Sequence, residues 1–508
     1  NALVEQFMKA ANGSVLYWEE QGKEALKYAT KAVFGIEGVP TYHLEDAHII
    51  VSFGSDFLQS SGTVVSMKGW ADSRDNTHDN FVSKMYTVGP RISLTSANTD
   101  IHLGAKAGSE AGLALAIAKK LSDVNGYNGS AKAILNDVDA DALIKASDVK
   151  THLVTELVKN LSSQKGKSVI LAGDLDTSAS AGDLALATLV LNEVAGNIGH
   201  SVVFGMENLP NLASAKEVLE TLNSGLDTLF IDDLDLVYSF SPDAKVSEAL
   251  AKVKNVILFS SEKNDSVSPN TLVIPTGTSL EKWGDSNSTT GLYSISQATM
   301  LPVNGNEIMS AEDIILRVAK AKGFVALTTP TATEEAVEVI NDNNLDETTE
   351  IQAPPVAGIL PPGFDATTFY TYLQTWWEAV VYPQYKEQGG SANYKQFWVD
   401  SLQQGFYEVK TEATIVSFQL SNLPPGTTAE LSGTGEYSLV LFPHPYIGAG
   451  RQANRPWARE IPDPLSGFSW DTWVEIHPET ADKLGLKKNH GVTLKTSKGS
   501  ENVGWFGS

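Results

Sequence analysis

The stretch TLFIDDLDLVYSF, residues 228–240, shows the pattern that decides the fold class. A short apolar run from Leu229 to Ile231 stops abruptly at Asp232 and Asp233. An apolar run of this length between two helical segments predicts a buried parallel strand that delivers a loop at its carboxyl end. In an open α/β sheet, that edge is where ligands bind.

The loop after this strand carries three carboxylates, those of Asp232, Asp233 and Asp235, and no glycine. A nucleotide phosphate needs glycine for close backbone approach and N–H groups as donors. One carboxylate about 4 Å from one phosphate charge costs about 4 kcal/mol at an effective dielectric near 20. The loop therefore argues against an anionic cofactor, and its simplest interpretation is a solvated acidic loop that binds no ligand.

The same succession of strand, polar loop and helix recurs along the first half of the chain, at IIVSFGSD (49–56), KMYTVGP (84–90) and SVILAGD (168–174). Strands that alternate with helices at this spacing predict one or two doubly wound parallel sheets. Residues 367–408 are aromatic-rich and predicted helical. From Ile415 onward, short apolar runs separated by proline and glycine predict a small β domain.

The composition excludes several classes of protein. The chain has 508 residues, 42% of them apolar, which is enough for about two to four domains with large cores. Its net charge of −24 repels nucleic acid and anionic membrane surfaces and would attract a basic partner. Because the chain has no cysteine, thiolate metal sites, cysteine-ligated iron–sulfur clusters and cysteine nucleophiles are excluded.

The sequence also bears on membranes and processing. No apolar run reaches the roughly 18 residues of a membrane-spanning helix, so we expect no direct membrane span. The chain begins at Asn1 with no charged-then-apolar leader, which suggests that it has lost an N-terminal segment.

Other candidate sites are weak. His43 and His48 bracket an acidic pair and could bind a metal as a pair, but loop histidines without a function are the more common case. His444 and His477 are predicted to be structural. No complete phosphate-binding or serine-nucleophile motif follows any strand. Two carboxylates, Glu281 and Asp285, could act as acid and base, but a turn packed by Trp283 explains them more simply.

The order of motifs along the chain resembles that of the molybdopterin oxidoreductase family. Its two most specific pieces are LEKWGD (280–285) and the tail NRPWAREIPDP (454–464) followed by WVEIHPETADKLG (473–485). Within that family the chain most resembles the large subunits of two membrane quinone complexes, the menaquinone reductase complex and alternative complex III. In those subunits the fold persists without a molybdenum cofactor.

The resemblance implies two Rossmann-like doubly wound parallel-sheet domains, family domains II and III, and part of a C-terminal β-barrel domain. The implied boundaries are 1–150 for the first half of domain II, 151–255 for domain III, 256–430 for the second half of domain II with a proline-rich acidic excursion near 330–366, and 431–508 for the partial barrel.

Departures from the family pattern bear on the cofactor. Cofactor-binding members usually place a Gly-x-Asn-Pro turn after the domain III strand, and here that turn aligns with Asp233-Leu234-Asp235-Leu236. The corresponding turn of domain II, Gly54-Ser55-Asp56-Phe57, keeps its glycine but lacks Asn-Pro. We also expect that the N-terminal part which holds an iron–sulfur cluster is missing from this chain.

The resemblance supports two hypotheses. In the first, the chain has no catalytic, cofactor-binding or metal-binding residues. It acts as a scaffold in a quinone-linked complex on the periplasmic, extracytoplasmic face of a membrane. The partners implied are an iron–sulfur cluster subunit, a multihaem cytochrome c and an integral membrane quinone-binding subunit. In the second, the chain belongs to a catalytic enzyme with molybdopterin guanine dinucleotide, and Gly54, Asn98 and Gly173 contact the cofactor.

Aromatic residues are enriched at the cores of interfaces, and the last third of the chain carries Trp376, Trp377, Trp398, Trp457, Trp470 and Trp473. We therefore expect Asn454 to Trp473 to bury the largest interface with the iron–sulfur subunit. The alternative is that these tryptophans lie in the internal core, above all Trp470 and Trp473. Burial of Trp376, Trp377 and Trp457 within the isolated chain would contradict the interface.

Overall fold

The structure is a computed structural model. It describes residues 2–19, 23–60, 62–77, 81–173, 180–208, 212–303, 305, 308–322, 368–424, 435–448, 452–487, 490–497 and 499–507. The predicted acidic excursion near 330–366 lies outside the described residues.

The helices are α1 (Ala2–Ala10), α2 (Glu24–Phe34), α3 (Val64–Ser73), α4 (Leu94–Ala97), α5 (Glu110–Asn125), α6 (Lys132–Asn136), α7 (Ala140–Ala146), α8 (Thr151–Ser163), α9 (Ala181–Ala195), α10 (Ala215–Leu222), α11 (Leu236–Ser239), α12 (Val246–Leu250), α13 (Ala311–Ala321), α14 (Phe369–Trp376), α15 (Tyr382–Glu387), α16 (Tyr394–Gln404), α17 (Pro456–Glu460) and α18 (Pro478–Lys483). A 3₁₀ turn covers Pro242–Ala244 and a π-helical segment covers Trp377–Val381. No helix in the described part of the chain combines the length and apolar character needed to cross a bilayer.

The strands are β1 (Thr41–Tyr42), β2 (Ile49–Phe53), β3 (Lys84–Gly89), β4 (Ile101–Gly104), β5 (Ser168–Ala172), β6 (Val202–Val203), β7 (Thr228–Asp232), β8 (Asn255–Ser260), β9 (Thr271–Pro275), β10 (Gly284–Thr289), β11 (Leu292–Ser296), β12 (Phe406–Glu408), β13 (Trp473–Ile476), β14 (Val492–Thr496) and β15 (Gly499–Gly507). With parallel and antiparallel sheets among these helices, the predicted α/β class is confirmed.

The chain forms two compact units. One contains Asn1–Trp18 and Asn208–Thr411, and the other contains Glu19–Glu207 and Glu412–Ser508. Strand β5, which lies in the predicted domain III, pairs along its whole length with β2, which lies in the predicted first half of domain II. The assignment of these segments to family domains II and III stays a prediction.

Four parallel strands form the first sheet, named sheet A, in the order β4-β3-β2-β5. Strands β2 and β5 are mostly apolar and buried along their whole length because both faces of the sheet are covered, as is usual for parallel sheets. Val51 and Ile170 point into the larger core, while Ile50 and Val169 point into a smaller core on the opposite face. Successive side chains along each strand thus point to opposite faces of the sheet and fill two separate cores. This is the doubly wound arrangement that the sequence predicts.

Two apolar helices fill the larger core of sheet A. Both α5 and α9 bury residues on most sides, which is why their sequences show little amphipathic pattern. Gly126 ends α5 and Gly196 ends α9, each in the left-handed backbone region that glycine adopts without steric cost.

Three parallel strands form the second sheet, named sheet B, in the order β7-β8-β9. One face packs on α10 and α12 through Ile231 and Leu258. The opposite face is only partly covered, since Phe230 is 39% and Leu272 60% exposed. The expectation that residues 229–231 form a buried strand is therefore wrong for Phe230, because the face of sheet B that carries it is only partly covered, while Ile231 is buried and Leu229 is partly buried.

The remaining sheets are small. In the unit with sheet B, the antiparallel sheet β10-β11-β12 borders an aromatic core built around the fully buried Trp377. In the other unit, β1 pairs with β6, and the sheet β13-β15-β14 mixes parallel and antiparallel pairing. The predicted C-terminal barrel appears here as an open three-stranded sheet, and no closure is seen among the described residues.

Candidate functional site

Sheet A has a topological switch point between β2 and β5. The chain runs from β2 outward through β3 to β4 and then returns past β2 to add β5 on the other side. Ligands of open α/β sheets bind in the crevice outside the carboxyl ends of the strands at such a point. Gly54 follows β2 and Gly173 follows β5, so the structure brings these two predicted residues together.

The backbone itself explains both glycines. Gly54 has a φ of +74°, a conformation that side chains other than glycine rarely adopt. A Cβ on Gly173 would lie 3.1 Å from the carbonyl oxygen of Phe53 and 3.5 Å from the carbonyl carbon of Gly54. Gly173 therefore packs against the backbone of Phe53 and Gly54, and the two glycines would also allow a ligand to approach closely.

Side chains of the turn after β2 form hydrogen bonds within the turn and with α4. Asp56 is 6% exposed, and its Oδ1 accepts a hydrogen bond from the Thr95 amide at 3.0 Å. The Ser60 hydroxyl donates to Asp56 Oδ2 at 3.2 Å, and the Thr95 hydroxyl accepts from the Leu58 amide at 3.0 Å. The Asp56 carboxylate thus holds the turn against α4.

Asn98 lies at the opposite end of sheet A. It follows α4, and its side-chain amide donates to the Leu94 carbonyl at 2.8 Å. The next residue, Thr99, donates through its hydroxyl to the carbonyl of Met85, near the start of β3. The structure therefore does not bring Asn98 to Gly54 and Gly173, because the chain has already crossed back to begin β4.

The carboxyl edge of sheet B is acidic. Asp232 ends β7 and is exposed, as is Asp233, which has a φ of +48° and donates its amide to the Phe259 carbonyl at 2.8 Å. The described strands of sheet B follow one another in sequential order, so no switch point is seen among them. Both features differ from the edge that carries Gly54 and Gly173.

Asp235 fixes the acidic turn in place. Its Oδ1 accepts from the Tyr238 amide at the start of α11 and from the Ser266 hydroxyl at 2.8 Å. Its Oδ2 accepts from the Asp265 amide at 2.9 Å. The carboxylate is therefore part of the structure of the loop. A turn with three carboxylates does not fit an anionic pyrophosphate, because each charge repels phosphate by about 1–4 kcal/mol at 4 Å.

The two N-terminal histidines have different surroundings. His43 Nδ1 lies 2.9 Å from Glu45 Oε1, and this hydrogen bond raises the pKa of His43 above its ordinary value and lowers that of Glu45. The ring of His48 stacks on Phe81 at a centroid distance of 3.9 Å. The possible pair of His43 with His48 is thus replaced by a contact between His43 and a carboxylate.

The C-terminal histidines hold local turns, as predicted. His444 Nδ1 accepts from the amides of Tyr446 and Ile447, each at 3.2 Å, and burial lowers the pKa of His444. His477 precedes α18 and accepts from the Glu479 amide at 3.3 Å. Both rings act as acceptors for backbone N–H groups.

Glu281 holds a turn rather than pairing with Asp285. Its two oxygens accept from the amides of Val303 and Thr278, each at 2.8 Å. Trp283 packs on Tyr370 at a centroid distance of 4.5 Å. Asp285 lines a pocket of about 240 Å³, which is below the usual size of ligand pockets and too small for a dinucleotide.

Sequence reasoning missed a charged pair that joins distant parts of one unit. Arg91, just after β3, donates to both oxygens of Glu475 on β13, at 3.0 and 3.1 Å. The guanidinium also lies 3.7 Å from the ring centroid of Phe442. No local signal identifies this pair, because its members are 384 positions apart.

The tryptophans divide into buried and exposed groups. Trp377 is fully buried, and Trp398 and Trp473 are 5% and 6% exposed. These three are core residues, which for Trp473 is the alternative that the sequence left open. Trp376 is half-buried. Trp457, at 84%, and Trp470, at 45%, are exposed, which contradicts the alternative that Trp470 belongs to the core.

Comparison with known proteins gives the family from a sequence model and the fold from a solved structure. A sequence model of the family described as Molybdopterin oxidoreductase matches residues 2–307. The acetylene hydratase from Pelobacter acetylenicus has a similar structure, with a TM-score of 0.65 at 11% identity, covering 100% of this chain and 75% of that chain. No curated protein sequence is significantly similar to the chain. At this identity the structural likeness establishes the fold alone.

Proposed function

This chain belongs to the molybdopterin oxidoreductase family, and on that premise we propose that it is a scaffold subunit without a molybdenum cofactor of its own. The observation that carries this proposal is the acidic turn at the carboxyl edge of sheet B. Asp235 is bonded into that turn by three donors. These hydrogen bonds fix the conformation of the turn. Its negative charge therefore stays at the sheet edge and opposes binding of an anionic dinucleotide.

The proposed partners are an iron–sulfur cluster subunit, a multihaem cytochrome c and an integral membrane quinone-binding subunit. The chain has no cysteine with which to ligate a cluster. Within an electron-transfer complex it would then contribute surface, by docking and insulating subunits that carry redox centres. The proposed location is the periplasmic, extracytoplasmic face of the membrane.

The proposed interface with the iron–sulfur subunit is Asn454 to Trp473. Within this segment Trp457 presents most of its surface to solvent, and Arg459 lies 5.1 Å from the ring centroid of Trp470. Exposed tryptophan and arginine side chains are the residue types that most often dominate binding energy at interfaces.

Metal and pterin analysis of the purified complex tests the scaffold proposal. We expect molybdenum, tungsten and pterin at well below one equivalent per chain. Stoichiometric molybdenum or tungsten together with pterin would overturn it.

Co-purification tests the interface. Trp457→Ala should weaken retention of the iron–sulfur subunit, because the exposed indole would be an anchor. Tyr238→Ala is the matched control, since Tyr238 is also an exposed aromatic residue, at 51%, but lies on α11 outside the segment. Equal retention by both variants would exclude Trp457 as an anchor.

A second candidate function is a catalytic subunit that binds molybdopterin guanine dinucleotide. The observation that favours it is the Gly54 and Gly173 pair at the switch point of sheet A, where a nucleotide could approach the backbone. When bound, the cofactor would supply the redox chemistry. The same metal and pterin analysis separates this candidate from the scaffold.

A further inference from the structure

The loop between β1 and β2 brings three potential metal ligands together. Ligand atoms of His43, Glu45 and Asp46 all lie within 4.8 Å of one another. An imidazole nitrogen with carboxylate oxygens is a ligand set suited to zinc and similar first-row divalent ions. We propose that this loop binds one divalent transition-metal ion of the zinc type.

The backbone of the loop is anchored on both sides of the ligands. Leu44 and Ala47 are fully buried, so they fix the loop to the core while the intervening acidic residues remain accessible. The His43 amide donates to the Ser201 carbonyl at 2.9 Å, and the Ala47 amide donates to the Leu44 carbonyl at 3.3 Å. The positions of the ligand-bearing residues are therefore set without a metal.

Helix α3 further restricts the Glu45 carboxylate. A Cβ on Gly69 of α3 would lie 2.8 Å from Glu45 Oε2 and 3.3 Å from the Glu45 amide nitrogen. Glycine at this position leaves room for the carboxylate, which α3 confines on one side while Oε1 points to His43 at 2.9 Å. Two of the three ligands are thus oriented toward each other before any ion binds.

The distances require only small adjustments to accept an ion. Ligands about 2.0–2.2 Å from a tetrahedral zinc ion lie roughly 3.3–3.6 Å apart. The His43 to Glu45 contact would open by about half an ångström, and Asp46 would move inward. The contact being replaced is partly exposed, with side chains 37% and 42% accessible, and such pairs contribute little to stability. Water would complete the coordination, which predicts an exchangeable site rather than a closed structural one.

The experiment is a titration of tag-free protein with Co²⁺, followed by visible absorption, and with Zn²⁺, followed by calorimetry. We expect wild type to bind one equivalent of Zn²⁺ and to show a Co²⁺ spectrum that Zn²⁺ abolishes. His43→Ala and Asp46→Asn should each weaken the affinity by about tenfold or more, since even the outer partners of metal sites produce changes of that size. His200→Ala is the matched control, because His200 is exposed and outside the group.

The outcomes are distinct. Absence of Zn²⁺ binding by wild type overturns the proposal, as does equal affinity in His43→Ala. Equal affinity in Asp46→Asn overturns the three-ligand site and leaves a simple ion pair between His43 and Glu45. Circular dichroism of each variant shows whether the fold is kept. The result is independent of the cofactor, because the titration measures neither molybdenum nor pterin.

Discussion

Sheets A and B share one sequence pattern, an apolar run followed by a polar turn, but they differ in burial, in strand order and in the turns at their carboxyl edges. Sheet A is covered on both faces and has a switch point at which Gly54 and Gly173 meet. Sheet B has a partly open face, a sequential strand order and an acidic turn fixed by Asp235. The comparison teaches that an apolar run predicts a strand. Whether the carboxyl end of that strand lies at a possible ligand site depends on which strands are its neighbours.

The largest expected difference concerns burial at the sheet edges. Leu103 on β4 is fully buried and Leu272 on β9 is 60% exposed, and each lies on an edge strand. Leu103→Ala should lower the free energy of unfolding by about 2–5 kcal/mol through lost transfer energy and a cavity, and Leu272→Ala by less than about 1 kcal/mol. Urea unfolding measures both. Similar losses of unfolding free energy would mean that Leu103 and Leu272 are equally buried and that the two sheets do not differ in this respect.

A second test addresses the switch point of sheet A. In Gly173→Ala the new Cβ would meet the backbone of Phe53 and Gly54, which we expect to cost about 1–3 kcal/mol of stability. Gly499→Ala is the control, because nothing lies within 4 Å of its Cβ position. Thermal unfolding measures the midpoint temperature of each variant. Equal decreases in the two midpoint temperatures would contradict the packing of Gly173 against Phe53 and Gly54.

The acidic turn of sheet B provides the third test. Asp235→Ala removes the acceptor at the start of α11 and the bonds to the Asp265 amide and the Ser266 hydroxyl. We expect a loss of about 1–2 kcal/mol, typical of a removed helix cap. Asp235→Asn keeps an acceptor and should lose less. If the alanine variant were more stable than wild type at neutral pH, repulsion among the carboxylates of the turn would outweigh the hydrogen bonds of Asp235.

The smallest expected effect is a pH dependence at the amino edges of the two sheets. Arg74 holds the pKa of Asp100 below its ordinary value, so this pair contributes stability above the ordinary aspartate pKa and loses it as pH falls through the lowered one. Asp100→Asn should therefore cost about 0.5–1 kcal/mol at neutral pH and progressively less in acid.

Asp227, which precedes β7, serves as the matched control for Asp100. It is paired with Lys254, but both side chains are largely exposed. Asp227→Asn should therefore change stability less than Asp100→Asn at neutral pH. Unfolding curves at several acidic and neutral pH values compare the two variants, and a pH-independent cost for Asp100→Asn would rule out the ionic contribution.

Much of the fold follows from local sequence. The strands after His48, Ser83 and Lys167 were predictable because short, mostly apolar segments can be buried on both faces of a parallel sheet. The ends of α5 and α9 were predictable because glycine alone adopts the left-handed backbone cheaply. The acidic character of the turn at Asp232 to Asp235 was equally visible, since charge is a property of the residues themselves.

The tertiary structure decided which segments are neighbours. The pairing of β5 with β2, the contact of Arg91 with Glu475, and the grouping of His43 with Glu45 rather than His48 depend on how the chain folds back. The periodicity of a segment reports only which of its own faces is apolar, and it carries no information on the partner of that face. For that reason the sequence predicted Gly54 and Gly173 as separate turns, and only the fold placed them side by side while leaving Asn98 at the other end of the sheet.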